Sequence, residues 1–233
     1  MLRTFLSGNF TQLDVIVLLL SIPIILFSLS IHEFSHGYVA HCLGDDTARN
    51  YGRLTLNPIS HIDPIGFIML LLFGFGWAKP VPINTRYMKN GKWGFVLASL
   101  AGPLSNILVA FAAAILYNLT IVFSGNFMPS SAAGINVYII LLSFFNIAVS
   151  INVTYAVFNM IPIPPLDGSR LLTACLPRKW ALFSFRYERY MQIAIIILFY
   201  LGAFTNILQN AILWLSNFIY YLVSFIPFEL LMR

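Results

Sequence analysis

Long apolar stretches constrain this chain more than any other feature of its sequence. Several of them approach or exceed the roughly 20 residues that a helix needs to cross a hydrocarbon core about 30 Å thick. Of its 233 residues, 59% are hydrophobic and 9% are charged, whereas about one quarter of a typical soluble domain is charged. We therefore predict an all-α polytopic membrane protein embedded in the lipid bilayer.

Apolar length and helix breakers predict five transmembrane helices. Their expected ranges are 13–43, 93–120, 136–160, 188–205 and 207–228. A shorter apolar run at 65–77 forms either a sixth span or a re-entrant hairpin, which enters and leaves on the same side. Gly52–Leu56 and Pro80–Asn84 flank this run and are predicted to be small extended β segments near the active site.

Basic residues lie in short loops beside the apolar segments, where they indicate membrane orientation rather than nucleic-acid binding. Two groups precede the second and the fourth predicted helix: Lys79, Arg86, Lys89 and Lys92, then Arg170, Arg178, Lys179, Arg186 and Arg189. Both loops are predicted to be cytoplasmic. The first helix carries no small-residue cleavage pattern, so we expect it to be retained.

The first predicted helix contains the sequence His32-Glu33-Phe34-Ser35-His36. A spacing of four residues places both imidazoles on one helix face, where they can bind one zinc ion, with Glu33 beside the metal as a general base. A polar kink in the helix or two structural histidines are the alternative explanations. Ionisable groups inside a membrane segment cost at least about 2.5 kcal/mol each, so the sequence favours a bound cation as their partner.

A catalytic zinc site has three protein ligands, and Asp167 is the candidate for the third. It follows prolines that break the third predicted helix, so its carboxylate can turn inward from an extended segment. Asp167-Gly168 could also be an ordinary turn or the cap of a short helix. A prenyl-protein type of zinc protease would use Glu188 instead, but a surface ion pair with Arg186 or Arg189 explains Glu188 better.

Together, these motifs resemble the site-2 protease family (peptidase M50 type) of intramembrane zinc metalloproteases. That family combines H-E-x-x-H with a distant N-x-x-P-x-P-x-x-D-G, which here runs from Asn159 to Gly168. Ala101–Asn106 resembles its G-x-x-x-N element, although Gly102 and Asn106 could equally serve helix packing. The stretch 52–58 resembles a compact branch without PDZ or nucleotide-sensing CBS domains.

The resemblance implies a zinc metalloendopeptidase that holds one catalytic Zn²⁺ with His32, His36 and Asp167. It implies Glu33 as the base and Asn159 as a residue that orients substrate or stabilises the intermediate, although Asn159 could instead form an interhelical hydrogen bond. The implied substrates are transmembrane proteins or peptides, cleaved in or near their spans during regulated intramembrane proteolysis. A transporter or a pseudo-protease that binds zinc without hydrolysis is the alternative.

The expected organisation is a single membrane-embedded protease domain over residues 1–233, with a core at about 13–176 and accessory helices at about 187–230. The three ligands meet easily if the first and third helices both end on the cytoplasmic side. We therefore expect a multi-pass protein of the plasma (inner) membrane, with its active site towards the cytoplasm. The N-terminus would be external, Arg233 cytoplasmic and the 65–77 run re-entrant.

Overall fold

The computed structural model describes residues 11–73, 76–126 and 131–226. This part of the chain is mostly helical and contains no strand. Its helices are α1 (Gln12–Cys42), α2 (Thr47–Asn50), α3 (Pro64–Phe73), α4 (Gly91–Asn126), α5 (Ala132–Asn159), α6 (Gly168–Cys175), α7 (Arg178–Tyr200) and α8 (Thr205–Ser224), with a 3-10 turn at Pro58–Ser60.

Four helices are long and apolar enough to cross a membrane: α1, α4 over Gly91–Phe123, α5 and α8. The prediction of a helical membrane protein is confirmed, whereas the count of five spans stays a prediction. Helix α7 begins at Arg178 instead of Glu188, and its first half is rich in charged residues. The predicted end of the last helix at Phe228 lies outside the described residues.

The centre of the bundle is formed by α1, α4 and α5. Helix α4 packs against both of the others, and α8 lies against α4 and α5. Small residues such as Ala110 and Ala114 are fully buried where these helices meet, together with Val149 and Val153. Small side chains let helices approach closely in a membrane, where association relies on van der Waals packing.

Helix α3 and the chain after it fold back on themselves. Ile62 and Ala78 form an isolated antiparallel bridge, so the segment starts and returns at the same place. Gly66 allows this return, because a methyl group there would overlap the backbone of Trp77. A helix of 10 residues is only about 15 Å long, roughly half the hydrocarbon thickness.

Neither segment predicted to be extended forms a strand. The chain at Gly52–Leu56 turns and bends, and Gly52 itself adopts a φ of 65°. Pro80–Asn84 is irregular. Pro80 and Pro82 have no N–H, so this stretch cannot donate the full set of hydrogen bonds of a sheet ladder.

Candidate metal centre

The three predicted zinc ligands lie close together in space. His32 and His36 come from adjacent turns of α1, and Asp167 comes from the segment between α5 and α6. Their candidate ligand atoms all lie within 4.8 Å of one another. The two Nε2 atoms are 3.0 Å apart, and Asp167 Oδ2 lies 3.2 Å from one and 3.3 Å from the other.

The second nitrogen of each imidazole determines which ring atom is available. His36 Nδ1 lies 2.8 Å from the Ala98 carbonyl oxygen, and His32 Nδ1 lies 2.6 Å from Asn106 Oδ1. Both partners can only accept, so each Nδ1 donates and each Nε2 is left with its lone pair. Two lone pairs and a carboxylate oxygen then face one another. Only positive charge between them, a proton or a metal ion, makes this arrangement favourable.

The donor set matches the preferences of zinc, which binds imidazole nitrogen and carboxylate oxygen. Asp167 Oδ2 is buried and receives no hydrogen bond, as expected for an atom whose partner is a cation. Burial acts to raise the pKa of Asp167, but the combined attraction to the imidazoles of His36 and His32 outweighs it and holds that pKa well below its usual value. The carboxyl group is therefore ionised, as a metal ligand must be.

Two buried asparagines connect His32 to the other two central helices. The amide nitrogen of Asn106 on α4 donates to Asn152 Oδ1 at 3.0 Å, and the amide nitrogen of Asn152 on α5 donates to the Ala148 carbonyl at 2.9 Å. Both side chains are fully buried. This chain of bonds turns Asn106 Oδ1 towards His32 and so orients the ring.

Glu33 lies beside the three ligands and is buried as well. Its Oε2 accepts a hydrogen bond of 2.8 Å from the Val81 N–H. Val81 belongs to the irregular stretch after α3, so a backbone amide from outside the helical bundle holds the carboxylate. The arrangement can bind a metal ion and keep a carboxylate next to it.

Comparison with known proteins agrees with this geometry. Residues 20–203 match the model of peptidase family M50. The chain belongs to this family. Its members use a catalytic zinc, so the chain is a membrane zinc metalloprotease, and the predicted family and cofactor are confirmed. No solved structure matches the chain.

Several relatives bear names that mark them as candidate zinc metalloproteases. YwhC of Bacillus subtilis (strain 168) is 39% identical over 175 residues, which cover 75% of this chain and 77% of YwhC. MJ0611 of Methanocaldococcus jannaschii is 33% identical over 78% of this chain and 95% of its own length. Rip2 of Mycolicibacterium smegmatis is 33% identical, but the match spans 61% of this chain and 52% of Rip2.

Gly102 determines how closely α4 approaches the candidate metal centre. A methyl group built on it would overlap the imidazoles of both His36 and His32, including Nε2 of His36. The sequence offered close packing as one explanation of Gly102 and Asn106. Gly102 does pack closely, but against the two rings, while Asn106 contacts His32 through a hydrogen bond.

A cavity of about 650 Å³ opens beside the candidate metal centre of this M50 protein. Asn159, at the end of α5, lines it together with Glu33, Asp167 and apolar side chains from α3. The expectation for Glu188 was wrong in its details. It lies inside α7, lines this cavity, and forms its ion pair with Arg170 at 3.2 Å rather than with Arg186 or Arg189.

Sequence reasoning missed three contributors to the site: Asn152, the Val81 N–H and the Ala98 carbonyl, which like any backbone acceptor has no signal in the sequence. Asn152 had a usable signal, because a polar side chain in the middle of an apolar span needs a partner and usually faces the bundle interior. The Val81 N–H had none, since any residue except proline offers a backbone donor and only the tertiary fold brings this one to Glu33.

Proposed function

We propose that His32, His36 and Asp167 hold the catalytic zinc ion and that this protein hydrolyses peptide bonds in or near the transmembrane segments of other membrane proteins. The convergence of two imidazole Nε2 atoms and one carboxylate oxygen, with a second carboxylate alongside, carries the proposal. These three residues would hold a zinc ion whose chemistry would be to lower the pKa of water and to polarise a carbonyl group.

Glu33 is the residue that moves the proton. Its Oε2 is engaged by the Val81 N–H, so we assign proton transfer to Oε1. This atom would take a proton from the attacking water and later deliver it to the nitrogen of the leaving amine. The hydrogen bond from Val81 fixes the carboxylate plane, which lowers the cost of orienting Glu33 during the reaction.

The surroundings of the centre support a membrane-protein substrate. The site lies towards the ends of two apolar helices, and its cavity is bordered by side chains such as Leu29, Phe67 and Trp77. An unwound peptide segment would lie against these side chains. Asn159 borders the same cavity and is proposed to orient the substrate or to stabilise charge that develops on the scissile carbonyl.

We also propose that the centre faces the cytoplasm of a cell whose plasma membrane holds this protein. Arg170 lines the cavity beside the centre, and Lys79 directly precedes Pro80, which lines it too; basic loops favour the cytoplasmic side. The return of the chain from Ile62 to Ala78 supports a re-entrant α3. In a variant without native cysteines, Asp46→Cys and Gly74→Cys should both resist labelling from outside the cell, and ready labelling of both would contradict this orientation.

The catalytic proposal is tested with purified protein and a panel of single-span membrane substrates. Wild type should cleave at least one of them, whereas Glu33→Gln should retain zinc and lose at least about 1000-fold in rate, because it can no longer accept a proton. Metal chelation should abolish cleavage, and added zinc should restore it. Equal cleavage by wild type and Glu33→Gln would refute the mechanism.

A further inference from the structure

The irregular stretch Lys79–Asn84 is here called the 79–84 segment. Hydrogen bonds fix both of its ends, and its middle residue Val81 donates to Glu33, the proposed base. The Lys79 N–H donates to the His61 carbonyl at 2.8 Å, and the Asn84 N–H donates to Asp45 Oδ2 at 2.6 Å. Between these attachments, the Val81 N–H donates to Glu33 Oε2. The position of that donor therefore depends on where the two ends are attached.

The sequence makes this segment stiff. Pro80 and Pro82 have a fixed φ, and each restricts the residue before it to extended conformations. They also lack an N–H, so Val81 supplies the only backbone donor between Lys79 and Ile83. The Val81 side chain is buried and lies against Gly37 on α1. A shift at Asn84 would therefore move the Val81 amide instead of being absorbed between them.

Asp45 anchors the Asn84 end and lies outside the metal centre. It is fully buried, and in the part of the chain that the structure describes it has no basic partner. Its Oδ1 accepts from the N–H and the hydroxyl of Thr47, while Oδ2 accepts from Asn84. A buried carboxylate is costly unless donors satisfy it. Here Oδ1 is satisfied by Thr47 and Oδ2 by the Asn84 end of the 79–84 segment.

We propose that Asp45 is a positioning residue for Glu33. By holding Asn84, it places the Val81 N–H where that donor aligns Oε2 and leaves Oε1 free to transfer the proton. This inference rests on the proposed role of Glu33 as the base. It assigns a part in catalysis to a residue that contacts neither the metal ligands nor the cavity.

The test compares Asp45→Asn with wild type in single-span substrate cleavage, with kcat expressed per bound zinc. Asparagine has nearly the same shape, but only one of its two terminal atoms can accept, so it cannot satisfy Thr47 and Asn84 together. We expect kcat per zinc to fall about tenfold, with KM within about twofold and zinc content unchanged. Asp46→Asn removes the same charge at an exposed position and should leave all three values unchanged.

Thr47→Ala keeps the Asn84 bond and should retain kcat per zinc within about twofold. Because the amide of Asp45→Asn can also turn its oxygen towards Asn84, Asn84→Pro is made as well; it removes the same hydrogen bond from its donor side and should lower kcat per zinc. The inference is wrong if kcat per zinc is unchanged in Asn84→Pro, if only KM rises, or if activity falls only in proportion to zinc. Failure of wild type to cleave, or full activity in Glu33→Gln, would instead refute the proposed function.

Discussion

The two sides of the proposed metal centre are built in different ways. On the helical side, α1 supplies His32 and His36, and α4 supplies a partner for each ring, the Asn106 side chain and the Ala98 carbonyl. On the irregular side, two proline-rich stretches supply Asp167 and the Val81 N–H. The helical side holds its proposed ligands by regular spacing and a buried amide network, whereas the irregular side holds the Val81 N–H through hydrogen bonds at the two ends of the 79–84 segment.

This difference predicts how each side responds to substitution. A ligand on the irregular side has no neighbour one helical turn away that could replace it. On the helical side, an orienting partner can be removed while both imidazoles remain. Loss of the proposed ligand on the irregular side, Asp167, should therefore abolish metal binding, whereas loss of an orienting partner on the helical side should weaken it by degrees.

The largest effect is expected for Asp167→Ala. It removes one of three ligands, so the zinc-to-protein ratio after dialysis should fall from about one to near zero. Elemental analysis of purified protein measures this ratio. Glu188→Gln is the matched control, because it neutralises another carboxylate in the same cavity and should retain zinc. If Glu188→Gln lost zinc and Asp167→Ala retained it, Glu188 and not Asp167 would be the third ligand.

Gly102→Ala should cause the next largest loss of zinc binding. It tests the helical side by placing a methyl group against the two imidazoles. The added methyl group overlaps both imidazoles, and overpacking costs about 1–3 kcal/mol, so zinc affinity should fall by about 100-fold. Competition with a chelator gives the affinity. Ser105→Ala removes only a hydrogen bond within α4 and should bind zinc as wild type does. Unchanged zinc affinity in Gly102→Ala would show that close packing of α4 does not fix the positions of the two imidazoles.

Asn106→Ala should have a smaller effect, because both imidazoles remain. Loss of a partner that orients a ligand typically lowers metal affinity about 10–100-fold, and we expect a value near the lower end. Asn152→Ala acts only through Asn106, which keeps a contact to the Ser28 carbonyl. Zinc affinity in Asn152→Ala should fall about threefold, which corresponds to the free energy of an average hydrogen bond within a membrane. A larger loss of zinc affinity in Asn152→Ala than in Asn106→Ala would contradict a network in which Asn152 acts on His32 through Asn106.

The helical side was also the more predictable from sequence. Its ligands are four residues apart in an apolar helix, so local geometry brings them together. Asp167 could be proposed because prolines end α5 just before it. The start of α7 was missed, because the prediction relied on the length of apolar runs. By that criterion the charged stretch from Arg178 to Arg189 is assigned to a loop. The partner of Glu188 and the Val81 donor depend on long-range packing, which local patterns do not encode.

X-ray absorption at the zinc edge of the purified wild-type protein tests the central claim most directly. The ligand set predicts scattering from two imidazole nitrogens and light carboxylate or water oxygens at about 2.0–2.2 Å. Asp167→Ala should bind too little zinc to give this spectrum, whereas Glu33→Gln should leave it unchanged. A sulfur shell at about 2.3 Å, or an unaltered spectrum in fully loaded Asp167→Ala, would contradict the claim.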